Sequence, residues 1–556
     1  MTVPSLSDGS FIDRCYTHQP MANHHRQLGT IGLLFASIGG ILGSGWLFGP
    51  LYAVQYAGPA ALISWIIGGV AIAMIALTFA EVAARFPLNG GITRLALLSY
   101  GRTTGFLTSL CTWFAFTVVI AAEVQATLQY ASIYLPWLST KASDGTHPLT
   151  IQGFVVAAGL WAVFSFITWT GIKWFARVNG ILTWIKIILI GVVSVTLMSL
   201  SFEWTMFDDI KEGGFAPDGM RGIFHALSYG GVIYAFTGFQ HAVVAAGESK
   251  KPQRDIPIAV VGSILVCMIL YLAIQVAFIG AMRESSVPHG WAALTFKDQV
   301  GPLAGLAITL GASWLFIMIF AGAIVSPLGA GLIDLGSSMR IAMGMTHDGY
   351  FPKRLGRVGR FGTPGLILVL SFPIGLFLFL PFPGWQDLVA FLASIAILAY
   401  MMGPLAVIAL RRQFPDHPFT FRLPWAHLLC PITFIICGLL IYWSGWSVVW
   451  KLGISFGSCS LIFVLIKKTA GDSIDFLASI WIWPFLGGLI ALTMLGGHGG
   501  MNLIPFGWDI ASVAGWSLAC YLMALRCAIA PPLAAKYLQD IHAAQQDGEE
   551  NPEFGP

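Results

Sequence analysis

Ile38-Gly39-Gly40-Ile41-Leu42-Gly43-Ser44-Gly45 lies in the middle of an apolar run spanning residues 28–55. Half of these residues are glycine, at a depth where a membrane helix ought to be continuous. A second apolar run, 222–246, is interrupted in the same way by Gly230-Gly231-Val232-Ile233-Tyr234-Ala235-Phe236-Thr237-Gly238. Backbone N–H and C=O groups freed by such a break cost several kcal/mol each in hydrocarbon. Irregular backbone at that depth survives around a polar cavity, and paired breaks in two halves of a chain point to a transport site.

The composition sets the class. Of 556 residues, 56% are hydrophobic and only 10% charged, against about 25% charged in soluble domains. Mean hydropathy is +0.78. A net charge of +3 singles out no charged partner, and no nucleic-acid partner is expected. Residues 1–27 are polar, end in His24-His25-Arg26, and read as a short soluble tail without a removable signal. The cysteines, Cys111, Cys267, Cys437 and Cys520 among them, are scattered through apolar segments without a CxxC pair. They read as buried thiols, so no metal and no cofactor is expected.

A spanning helix needs about 20 apolar residues. On that rule the chain holds roughly fourteen spans: 28–55, 59–83, 104–134, 150–170, 177–200, 222–246, 257–281, 303–334, 364–381, 386–410, 429–446, 449–467, 477–496 and 507–528. The third and eighth are long enough to be tilted. If the N-terminus is cytoplasmic, 22 of the 29 Lys and Arg fall on the inside and 5 on the outside. The basic residues therefore place both termini in the cytoplasm. The tail 529–556, with Asp547, Glu549 and Glu550, reads as disordered.

The two broken spans are the first and the sixth, each the first of five, and on this map they run in opposite senses. The fold expected is an all-α membrane protein with a five-plus-five inverted repeat and discontinuous helices 1 and 6. The repeats are 28–200 and 222–410. About four extra C-terminal helices, 429–528, carry no charge inside the membrane and read as packing or oligomer surface.

Several motifs carry a family likeness. Gly43-Ser44-Gly45-Trp46-Leu47-Phe48-Gly49-Pro50 resembles the first-helix signature of the amino acid–polyamine–organocation (APC) transporters. Glu81 with Phe86-Pro87 and Gly90-Gly91, Ala245-Ala246-Gly247-Glu248 with Lys251-Pro252-Gln253-Arg254-Asp255-Ile256-Pro257, Ser337-Ser338 with Arg340, Asp348-Gly349 and Pro352, and Gly362-Thr363-Pro364 follow in family order. Shorter patterns are similar to those of the bacterial aspartate–proton symporters. They include Gly91-Ile92-Thr93-Arg94, His289-Gly290-Trp291, Ser326-Pro327, Ile441-Tyr442-Trp443-Ser444-Gly445-Trp446 and Gly497-His498-Gly499. The resemblance implies a multi-pass protein of the bacterial cytoplasmic membrane that carries an amino acid by alternating access.

The expected site is largely backbone, with Gly43 and Gly238 opening the breaks. A half-helix starting after Gly45 presents free N–H groups and a positive dipole end, suited to an amino acid's carboxylate through Ser44 and Gly45. Half-helices stopping near Ile41 and Tyr234 leave carbonyls suited to the ammonium. The resemblance adds that the carbonyls of Ile41, Tyr234 and Thr237 take the amine and that Phe236 acts as an aromatic gate.

Coupling needs a sodium cage or a titratable group. Lys186, nine residues beyond Arg177, sits about 14 Å into the fifth span. In several proton-coupled family members the matching lysine stands where related symporters hold sodium, so Lys186 is read as a proton-sensing tie between the first and eighth helices. Glu123, thirteen residues before Pro136 and about 20 Å along its helix, is functional by position, as a relay or a cation's partner. His241, just past the second break, could meet an acidic side chain or join the relay. Glu81, Arg94, Glu248 and Arg340, at cytoplasmic helix ends, read as a charge network at an inner gate.

The branch likeness implies aspartate or glutamate as substrate. A second carboxylate in the pocket needs a cation or several donors; Lys186, His241, Gln240, Thr237 and Ser326 are the candidates. A neutral amino acid remains the alternative. An exchanger, or a sensor that binds without transporting, would keep the same pocket. An enzyme is not expected, since His498 and His225 stand without an acidic neighbour at helical spacing.

Overall fold

In hydrocarbon a backbone must satisfy its own polar groups, and the apolar runs accordingly fold as helices. The computed structural model describes residues 28–140, 148–170, 172–208, 213–283, 287, 289–296, 301–359, 363–380, 382, 384–419, 421–470 and 476–550. The N-terminal tail 1–27 and Gly362 of the last motif lie outside them. The helices are α1 (Thr30–Ile41), α2 (Gly45–Ala57), α3 (Ala61–Arg85), α4 (Gly91–Ala131), α5 (Ile151–Thr170), α6 (Ile172–Leu200), α7 (Gly219–Ser228), α8 (Val232–Ala235), α9 (Gln240–Val244), α10 (Pro252–Gly280), α11 (Pro302–Thr309), α12 (Ser313–His347), α13 (Gly365–Leu378), α14 (Trp385–Tyr400), α15 (Met402–Gln413), α16 (Ala426–Trp443), α17 (Trp446–Ala470), α18 (Phe476–Ser479), α19 (Ile482–Leu495), α20 (Trp508–Cys527) and α21 (Pro531–Glu550). Among the described residues ten helical runs are long and apolar enough to cross a bilayer; one, Gly45–Arg85, is α2 and α3 joined by a tight turn. The protein is thus a multi-pass membrane protein.

At the centre, α4 and α12 pack along each other, and α6 and α14 join them from either side. The segment α1 lies against α10, α6 and α12. The bundle buries the charged residues that a lipid-facing helix could not tolerate.

Several expectations are corrected. The eighth run is not one tilted helix: α11 ends at Thr309, Gly311 turns at φ +71°, and α12 continues to His347, well beyond residue 334. The third run begins earlier, at Gly91, and kinks at Gly101 (φ +79°). The tenth is divided at Met401. The C-terminal tail read as disordered is helical as α21 to Glu550. Its apolar side explains this, because Ala534, Tyr537 and Ile541 are buried and the helix docks on α4.

Nor do His225 and His498 stand alone. Their rings approach to 4.9 Å, His498 Nδ1 lies 3.8 Å from Asp509, and Tyr442 donates to that carboxylate at 2.6 Å. The contact joins α7 to the loop before α20, a pairing that helical spacing cannot reveal.

Candidate functional site

The first break opens after Ile41. Leu42 N–H still reaches Ile38 O (2.8 Å) and Gly43 N–H folds back on Ile41 O (2.9 Å), but helical geometry stops there and resumes only at Gly45. The Ser44 N–H at the mouth of α2 donates to Glu123 Oε1 at 3.1 Å. Tyr234, from α8, donates its hydroxyl to the same oxygen at 2.5 Å. The Ser44 hydroxyl lies 3.1 Å from Tyr234 OH and accepts from Trp385 Nε1 at 2.9 Å. A helix N-terminus attracts an anion, and here a side-chain carboxylate fills that place. Gly43 makes room for it: a Cβ there would run into the Glu123 carboxylate. Glu123 Oε2 is buried without a hydrogen-bond partner.

The second break touches the first. Gly238 adopts φ +134°, and a Cβ on it would lie 2.5 Å from Ile41 N and 2.7 Å from Ile41 Cγ1, so only glycine allows the approach. Its N–H donates to Gln240 Oε1 at 2.7 Å. The Tyr234 carbonyl accepts from the Thr237 hydroxyl at 2.7 Å. Tyr271 of α10 spans the breaks, its hydroxyl 2.8 Å from Ile41 O and 2.9 Å from Ala235 O. Between the two breaks lies a cavity of about 10 Å³, room for roughly one water, lined by Gly40, Ile41, Val119, Tyr234, Thr237 and Asp334. Any amino acid needs this space to widen.

Buried charges gather around the breaks. Lys186 donates to Gly39 O at 2.9 Å. Gly329 of α12 is its other neighbour: a Cβ there would stand 2.9 Å from Lys186 Nζ. The lysine therefore touches both α1 and α12. His241 Nε2 lies 3.2 Å from Asp334 Oδ1, and His241 Nδ1 2.8 Å from Ser337 Oγ.

With this geometry in view, comparison with known proteins is decisive: residues 28–451 match the amino acid permease family. The chain belongs to that family. The permease is 34% identical over 512 residues to the glutamate/serine transporter AimA of Bacillus subtilis (strain 168), covering 90% of this chain and 94% of that one. It is 33% identical over 509 residues to the aspartate-proton symporter of the same organism, covering 90% and 96%. The branched-chain amino acid permease BcaP of B. subtilis is 26% identical over 76% of this chain and 89% of its own. These are transporters, and the permease is accordingly a membrane transport protein of the amino acid class, not an enzyme.

The expected site residues are partly assembled. Ile41, Gly43, Ser44, Tyr234, Thr237, Gly238 and Glu123 converge on the breaks. Gly45 packs against Ala235, whose Cβ would be 2.7 Å from a new Cβ. Phe236 does not line the cavity; its ring is buried between Trp65 (5.7 Å) and Tyr271 (5.4 Å). Ser326 accepts from Trp46 Nε1 at 3.1 Å.

Among the described residues, the four residues expected at the inner gate fall in three ion pairs. Arg411 holds Glu81 through two bonds, 2.8 and 2.7 Å, Arg94 lies 3.6 Å from Asp348, and Arg340 lies 3.1 Å from Glu248. Tyr271, Trp385 and Asp334 were not anticipated. Only Asp334 left a trace in the sequence, as an acidic residue at the supposed end of the eighth run.

Proposed function

We propose that this permease is a proton-coupled amino acid importer working by alternating access, built on two inverted five-helix repeats, 28–200 and 222–410, with both termini cytoplasmic in a bacterial membrane. The helices from 429 to 528 lie outside the repeats, and 1–27 and 529–556 are its cytoplasmic tails. The substrate's carboxylate binds at the mouth of α2, on Ser44 and Gly45. Its ammonium binds the carbonyl side of the breaks, at Ile41, Tyr234 and Thr237. Phe236, with Trp65, closes the outer side.

One observation carries this reading: Glu123 Oε1 accepts the Ser44 N–H that a substrate carboxylate would need. Two carboxylates cannot share one donor in a buried site without a large repulsion. Glu123 must give up the N–H when substrate arrives, and a proton on Glu123 is what lets it do so. Substrate and proton then enter together. Lys186, bonded to Gly39 O beside the break, senses the same charge change and passes it to α12. Symport has the further support of the relative named an aspartate-proton symporter, whereas an exchanger needs no such displacement.

The test is uptake of radiolabelled amino acids into proteoliposomes with and without an imposed inward proton gradient. Accumulation above equilibrium only with the gradient supports symport. Uptake that instead requires an internal amino acid marks an exchanger, and saturable binding without uptake marks a sensor.

A further inference from the structure

Two of the donors that an acidic substrate would require are already engaged. The Thr237 hydroxyl is bound to Tyr234 O and Lys186 Nζ to Gly39 O. Gln240, whose carbonyl oxygen accepts from Gly238 N–H, and Ser326, whose hydroxyl accepts from Trp46 Nε1, lie outside the lining of the cavity. What the cavity offers instead is an acceptor. Asp334 lines it, is 2% exposed, and has Oδ2 buried without a hydrogen-bond partner. Its other oxygen faces His241, whose second ring nitrogen is already held by Ser337. An unmatched buried acceptor is a demand for a donor from the ligand.

We infer that Asp334 is the residue that reads the substrate's side chain, and that it selects short, neutral side chains ending in a hydrogen-bond donor: the hydroxyl of serine or threonine, or the amide of asparagine. This rests on the transport reading above and narrows it. A side-chain carboxylate brought to the same place would set a second acceptor, with its negative charge, against Asp334, where the cavity lining holds neither lysine nor arginine. A side chain without polar atoms would leave Oδ2 unmet, and sites built around a hydrogen bond reject such analogues strongly. The narrow cavity favours side chains of one or two carbons over long cationic ones, which would need it to widen further.

The experiment is competition in proteoliposomes holding the full chain. Uptake of labelled serine is measured against unlabelled serine, threonine, asparagine, alanine, aspartate, glutamate and lysine. Serine, threonine and asparagine should compete at least about tenfold better than aspartate or glutamate, a difference of about 1.4 kcal/mol. Aspartate, glutamate or lysine competing as well as serine would overturn the role of Asp334 and leave transport standing. Absence of uptake or competition by every amino acid would instead sink the transport reading, and this inference with it. Asp334→Asn keeps an acceptor and removes the charge. Serine uptake should weaken and aspartate's disadvantage should shrink severalfold; an unchanged disadvantage with serine uptake still measurable would also overturn the proposal. Should that variant fail to fold, the wild-type competition series decides alone.

Discussion

Glu123 and Lys186 carry the sharpest predictions at the level of single residues. Glu123→Gln keeps the size and an oxygen that can still accept the Ser44 N–H and Tyr234 hydroxyl bonds, but it cannot exchange a proton. Uptake in proteoliposomes should persist down a substrate gradient while its dependence on external pH flattens. An unaltered pH profile would return Glu123 to a purely structural part. Lys186→Ala removes the bond to Gly39 O and should abolish accumulation driven by a pH gradient, with substrate binding still measurable by thermal shift. Full accumulation in that variant would refute coupling through Lys186. Both residues were legible in the sequence because a charge in an apolar run stands out at once. Asp334 was not, because the run around it read as ending at residue 334; α12 in fact continues to His347, which carries Asp334 deep into the bundle.

Among elements, the two broken helices are held in register by a third. Tyr271 touches carbonyls from both breaks, Ile41 O and Ala235 O. Tyr271→Phe leaves two buried carbonyls competing for fewer donors, at a cost of about 1–3 kcal/mol. Substrate affinity, read by isothermal titration or thermal shift, should fall by about tenfold or more. Unchanged affinity would mean that the breaks hold their shape without the tyrosine. The breaks themselves were readable from the clustering of glycine alone. Their partners were not: Tyr271 and Trp385 are two aromatic residues in a chain holding 14 Tyr and 20 Trp, and only tertiary packing distinguishes the pair that faces Ser44 and Ile41. The split at Gly311 was equally hidden, since an apolar run keeps its hydropathy through a turn.

At the scale of the whole molecule, the C-terminal helices clamp both faces of the transport bundle. On the side opposite α21, the loop ahead of α20 brings His498 against His225 of α7, and Arg221 of the same helix reaches Gly497 O at 3.4 Å. Burial, reinforced by the neighbouring His225 and opposed by Asp509, pushes the His498 pKa down to about 4. A histidine kept neutral in the fold stabilises it fully above its unfolded value of about 6.5. That contribution is lost as pH falls from there toward 4, because the unfolded chain takes up the proton first. The unfolding midpoint in detergent should therefore drop on acidification through this window, and His498→Gln should blunt the drop. An identical pH dependence in wild type and variant would remove the histidine from the account.

On the other face, Gln413 Nε2 bonds both Ser99 O (3.0 Å) and Ile529 O (2.8 Å), while Ile529 N–H returns to Ser99 O at 3.2 Å. These bonds stitch α4 and the C-terminal end of α15 to the chain just ahead of α21, and Arg411 locks the same corner onto buried Glu81. A corner tied this many times should hold together as one block. Glu248 and Arg340 are joined instead by an ion pair with about a third of each side chain in solvent. We predict that a bolt placed across Glu248 and Arg340, each replaced by cysteine and crosslinked, stops uptake, whereas a bolt placed across Ser99 and Gln413 in the same way leaves it running.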